Sequence, residues 1–169
     1  MTHDARRAWS VDHPWARVYD AIADHDRVGR AVWRAGLGAD LGLLHRTAAD
    51  ALRALPAGAT VLDVPCGGGV TLRDVPPGAD LRFVAADISP AMLSRTRDEA
   101  RRRGIEIEAV TEDVGALSFD DGTFDLVLAY TSLHCFPDPH GALREIARVL
   151  RPGGRVVGST MMRDEPWRE

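Results

Sequence analysis

Between residues 60 and 160, short apolar runs alternate with helical stretches. The runs are TVLDV (60–64), LRFVAAD (81–87), the first half of GIEIEAVTED (104–113), FDLVLAY (124–130) and GRVVGST (154–160). Most are rich in Val, Leu and Phe and bounded by turn residues, as strands buried on both faces are. Helical patterns fall between them at about 68–74, 90–103 and 139–150. Strands that alternate with helices require right-handed crossovers. The expected fold is therefore α/β, a doubly wound, mostly parallel sheet covered on both faces.

Local signals sharpen the boundaries. The 90–103 helix opens with Ser89 as N-cap and Pro90 at its first position, where a missing N–H costs nothing. It closes on RRRG, in which three cations complement the helix dipole and Gly104 supplies the C-cap. Upstream, Asp12 and Pro14 start a helix whose Trp15, Val18, Tyr19 and Ile22 share one face. A glycine-containing stretch follows, and then a second helix from about Leu43 to Leu55 that Pro56 and Gly58 stop. Residues 1–57 are thus expected to form an N-terminal helical cap, and residues 58–169 the α/β core.

Composition excludes several classes of function. The chain has 169 residues, 45% of them hydrophobic, enough for one domain with a real core. Its net charge of −4 gives no electrostatic reason to bind a nucleic acid. Cys66 and Cys135 show no metal-ligand spacing, and no metal site is expected. No apolar run has the length of a membrane span, and MTHDARRAWS lacks the apolar core of a signal peptide. The expected location is cytoplasmic.

The chemistry gathers at the carboxyl ends of the strands. In open α/β sheets ligands bind there, near the point where strand order reverses. LDVPCGGG follows the first strand, and its glycines permit both a close backbone approach and positive φ. Asp87 ends the second strand, twenty positions after Gly67, and suits two ribose hydroxyls. Those two facts also describe a dinucleotide site. Asp113 at the end of the third strand, with Asp63 at the end of the first, would repel a pyrophosphate. Three carboxylates suit an adenine amino group, ribose hydroxyls and an ammonium, which favours a zwitterionic sulfonium nucleoside over NAD.

VLDVPCGGG, AADISPAML, EDVGALSFDDGTFDLVLAYTSLHCFPDP and REIARVLRPGGRVV together resemble successive motifs of the class I S-adenosylmethionine-dependent methyltransferases. The resemblance runs over about 58–160 and is greatest to the small-molecule branch called type 11 or UbiE-like. It implies a Rossmann-like methyltransferase fold with S-adenosyl-L-methionine as cofactor and S-adenosyl-L-homocysteine as product. It also implies that Asp63 and the turn of Pro65, Cys66, Gly67 and Gly69 hold the methionine end. Asp87 would hold the ribose, Ile88 and Met92 would sandwich the adenine, and Asp113 with the Val114 N–H would read its edge. Tyr130 would lie near the methyl group, with Thr131 and His134 after it, and His134 is the candidate base. Tyr19 and Trp33 are candidates for a lid over the substrate.

Two departures from the family pattern stand out. Pro65 replaces the first glycine of the turn, and the chain stops after the fifth strand where the family has seven. The expectation is a fragment lacking the last two strands, with Val156 and Val157 on an apolar edge open to pairing, including homodimerisation. The expected function is methyl transfer to a small, uncharged or apolar molecule. The alternative is a cofactor-binding module without turnover.

Overall fold

In the computed structural model, residues 41–160 are described. Helix α1 (Leu41–Arg53) precedes strand β1 (Ala59–Asp63), and β2 (Leu81–Asp87) leads into α2 (Pro90–Arg103) and β3 (Glu108–Thr111). Strand β4 (Phe124–Ala129), helix α3 (Pro139–Val149) and β5 (Leu150–Gly158) follow. The five strands are parallel, in the order β3-β2-β1-β4-β5. The sequence-based fold class is correct.

Strand alternation explains the layers. Successive side chains point to opposite faces. Val61, Phe83, Ala85, Leu126 and Leu128 therefore meet Leu44, Ala48, Ala51 and Leu52 of α1 and Leu93 and Ala100 of α2. Their neighbours Leu62, Val84, Ala86, Val127 and Ala129 meet Ile146 and Val149 of α3. Both faces are thus covered, and Val61–Leu62, Phe83–Ala86 and Leu126–Ala129 are continuously apolar for that reason. Each fully buried Leu or Val contributes about 1.5–3 kcal/mol.

The caps follow the sequence closely. Met92 N–H donates to Ser89 Oγ at 3.4 Å, and Gly104 ends α2 at φ 66°. The arginines before it pair along the helix, Arg101 with Asp98 and both Arg102 and Arg103 with Glu99. Asp138 caps α3 by accepting from Gly141 N–H at 2.9 Å, with Pro139 at the first position.

Three expectations need correction. The 68–74 stretch is a short 3-10 turn, Val70–Asp74, and not an α-helix. Its five residues between Gly69 and the prolines at 76 and 77 cannot complete two α-helical turns. The third strand ends at Thr111, so Asp113 lies two residues beyond it, in a turn that its own side chain closes on Gly115 N–H. The last strand begins earlier than expected, at Leu150, and its register with β4 slips between Phe124 and Leu126. Among the described residues β5 is the outer strand on its side, and Val156 is 46% exposed. Of the segment expected to form the cap, residues 1–57, the described part contains α1, which packs on the sheet, and residues 1–40 lie outside the described residues.

Candidate active site

Strand order reverses at β1, with β2 on one side and β4 on the other. The connections leaving the ends of these strands diverge there and open a crevice. The 65–69 turn sits at that point. Val64 N–H donates to Leu128 O, and Cys66 N–H to Ala86 O, each at 2.9 Å, so the turn is stitched to both neighbouring strands. The Val64–Pro65 bond is cis.

Two glycines here do different work. Both have positive φ, 52° at Gly67 and 83° at Gly69. A Cβ on Gly69 would stand 3.0 Å from Leu72 Cδ1 and 3.3 Å from Thr96 Cα, so Gly69 allows α2 to pack against the turn. A Cβ on Gly67 would meet no protein atom within 4 Å. Its backbone is open to a ligand's approach. Gly67 is held in place by Asp87 Oδ2, which accepts from its N–H at 2.9 Å, and by Thr96, whose hydroxyl donates to its carbonyl at 2.6 Å.

Asp87 is buried and its other oxygen accepts from Ser89 N–H at 2.8 Å. An ionised carboxylate offers about four lone-pair sites, so the amides orient it without saturating it. Burial raises its pKa, with the amide bonds pulling the other way. Asp63 is buried more deeply and accepts from the Thr71 hydroxyl at 2.5 Å. Burial pushes its carboxyl from 3.8 to about 7; the Thr71 bond opposes this and the Asp87 charge adds to it. Cys66 is buried beside these carboxylates, which with burial pushes its thiol up and leaves it a packing residue.

The remaining predicted residues are placed as follows. Ile88 and Met92 are half-buried where β2 passes into α2. Asp113 and Val114 lie past the end of β3, at the same rim of the sheet, and Val114 packs against the core below α3. Tyr130 is buried, and its hydroxyl lies 2.8 Å from Thr47 Oγ1 on α1. Because Thr47 already donates to the Leu43 and Leu44 carbonyls, the phenol is the donor. Thr131 has φ 52°, a strained geometry for a β-branched residue and the kind found at binding sites. His134 is exposed in a 3-10 turn, with Nδ1 3.2 Å from Thr160 Oγ1, and partial burial lowers its pKa. Tyr19 and Trp33 lie outside the described residues.

Residues 62–158 match the family described as "Methyltransferase domain". The chain belongs to that family. The family's cofactor is S-adenosylmethionine, and this domain is of the UbiE-like class I type. It is 40% identical over 123 residues to the demethylmenaquinone methyltransferase of Thermus thermophilus, covering 71% of this chain and 54% of that protein. It is 41% identical over 104 residues to the ubiquinone/menaquinone biosynthesis C-methyltransferase UbiE of Idiomarina loihiensis, covering 59% and 41%. The chain thus spans about half the length, or less, of these relatives. Among solved structures, geranyl diphosphate methyltransferase in complex with GPP and sinefungin superposes with TM-score 0.68 at 22% identity. That match covers 93% of this chain and 64% of the other.

Several residues of this candidate site escaped sequence reading. Thr71 and Thr96 place Asp63 and Gly67, and Thr47 anchors Tyr130. His45 Nδ1 on α1 lies 2.7 Å from Asp74 Oδ2, tying the same helix to the turn after the glycines. Threonines at helical positions carry no signal of their own.

Proposed function

We propose that this methyltransferase domain binds S-adenosylmethionine across the carboxyl ends of β1, β2 and β3 and methylates a small, uncharged or apolar acceptor. The observation that carries the cofactor assignment is the Asp87 carboxylate, fixed by Gly67 and Ser89 amides with lone pairs to spare. The residues fit the cofactor in chemistry as well as in shape. Gly67 leaves room for a close ligand, and two buried carboxylates favour a ligand carrying positive charge and hydroxyl donors.

When bound, the cofactor supplies an electrophilic methyl group. In this reading Asp87 accepts the ribose hydroxyls and Asp63, with the 65–69 turn, receives the ammonium. Ile88 and Met92 flank the adenine, while Asp113 and Val114 N–H meet its edge. Displacement at a methyl group needs proximity, alignment and little water, which rigid strand ends provide. His134, with its pKa lowered, is neutral at pH 7 and able to take a proton from the acceptor. An apolar acceptor is supported by the relatives whose names refer to demethylmenaquinone and to ubiquinone or menaquinone biosynthesis.

Titration calorimetry with S-adenosylhomocysteine tests the cofactor assignment. Two hydroxyl bonds to a carboxylate are together worth about 2–4 kcal/mol, so Asp87→Ala should weaken binding more than tenfold. Unchanged affinity would move the ribose elsewhere. Transfer of labelled methyl to apolar extract components, and not to nucleic acid, tests the acceptor class.

A further inference from the structure

The connection from β3 to β4 contains no helix. Residues 112–123 leave the end of β3 and reach the start of β4, and the strand order makes them pass β2 and β1 on the way. A crossover helix would satisfy its own amides, whereas this irregular segment must find partners elsewhere. Some are local. Asp113 Oδ1 accepts from Gly115 N–H at 2.9 Å, Glu112 Oε2 accepts from Ser118 N–H at 3.1 Å, and Glu112 also takes the Ser118 hydroxyl.

Others come from α3. Glu145 Oε2 accepts from Leu117 N–H at 2.9 Å. Arg148 reaches the Phe119 carbonyl through Nη1 and the Leu117 carbonyl through Nη2, both at 2.8 Å. Its Nη1 also meets Asp121 Oδ1 at 2.8 Å, and its Nε and Nη2 meet Glu145 at 2.9 and 2.8 Å. A guanidinium has five N–H donors, and all five are used here. Lysine has three donors on a point charge and cannot reproduce this fork.

We propose that Arg148 and Glu145 are positioning residues for adenine recognition, holding the 112–121 segment so that Asp113 and Val114 present a fixed donor and acceptor edge. The inference rests on the assignment of Asp113 and Val114 to the adenine. A buried Phe119–Phe124 edge-to-face contact, with centroids 5.0 Å apart, gives the segment its apolar anchor. The polar fork sets the path of the chain between that anchor and β3.

The test compares S-adenosylhomocysteine with S-inosylhomocysteine by calorimetry. The inosine analogue replaces the 6-amino donor with a carbonyl and places a proton on N1, so both edge contacts are reversed. A site built for hydrogen bonds rejects such an analogue strongly. The unmodified chain should prefer the adenosyl ligand at least tenfold. Arg148→Lys should lower adenosyl affinity five- to tenfold and leave inosyl affinity within twofold. Glu145→Gln, which keeps an acceptor for Leu117 N–H, should reduce the preference in the same sense and serves if Arg148→Lys does not fold. A merely structural role would weaken both ligands alike, since they share ribose and methionine ends. Parallel weakening, or an undiminished preference in the variants, overturns the inference. Lack of any preference in the unmodified chain overturns the Asp113 assignment itself.

Discussion

Asp63→Asn should make the chain more stable at pH 8 while removing its cofactor affinity. The Asp63 carboxyl is buried and its pKa rises from 3.8 to about 7, chiefly through burial. A raised native-state pKa means that the folded chain holds the proton more tightly than the unfolded one. That contribution is fully present below about pH 4, falls as pH rises, and is gone above about 7. Keeping the group ionised in the fold at pH 8 therefore costs about 4 kcal/mol relative to its neutral form. Asparagine is neutral throughout and its carbonyl still accepts from Thr71. Its amide N–H groups replace an oxygen at a site built for acceptors, at a cost of about 1–3 kcal/mol. The net expectation at pH 8 is a gain of about 1–3 kcal/mol, reversing to a loss near pH 4. Urea midpoints for both proteins at four pH values from 4 to 8 check this. The Asp87 carboxyl titrates in both, so the difference between the two curves reports Asp63 together with its coupling to Asp87. Parallel curves would refute the argument, because they would mean that Asp63 ionises as freely in the fold as in the open chain.

The same carboxyl couples cofactor affinity to pH. S-adenosylhomocysteine should bind more tightly as pH rises from about 6 to 8, with protons released below pH 7, and Asp63→Asn should abolish the trend; a flat profile in the unmodified chain counts against an ammonium at Asp63. Gly67→Ala should weaken binding and cost about 1–2 kcal/mol through its positive φ alone, whereas Gly69→Ala, which adds a Cβ pressing on Leu72 and Thr96, should lose about 1–3 kcal/mol more in a urea melt. Equal stability of the two variants would show that the turn does not divide its roles in this way. Tyr130→Phe removes the bond to Thr47 and should cost about 0.5–1.5 kcal/mol. No change in the urea midpoint would mean that this bond contributes nothing to holding α1.

Much of this methyltransferase domain was readable before any coordinates. Ser89–Pro90 and Gly104 announce helix ends through their own backbone preferences, and each occupies that position in the fold. The apolar runs of β1, β2 and β4 announce burial on both faces, and the acids at 63 and 87 stand at strand ends as expected. The reading failed where the local signal was weak. Five residues hemmed in by Gly69 and two prolines form a 3-10 turn, and the alternating pattern before Asp113 outlasts the strand.

What the sequence determined by itself is the series of elements and the chemistry at their ends, because caps, turns and apolar periodicity act over a few residues. Tertiary structure decided which ends meet. Asp87 orients the Gly67 amide twenty residues away, the Thr71 hydroxyl bonds the buried Asp63, and Thr47 receives Tyr130 from 83 residues along the chain. Arg148 likewise governs a segment about thirty residues before it. None of these pairings has a sequence signature, since each exists only once parallel strands are packed side by side. The raised pKa of Asp63 belongs to the same class. A carboxyl at a strand end is an ordinary acid in the chain, and only burial between two covered faces of the sheet makes it costly to ionise.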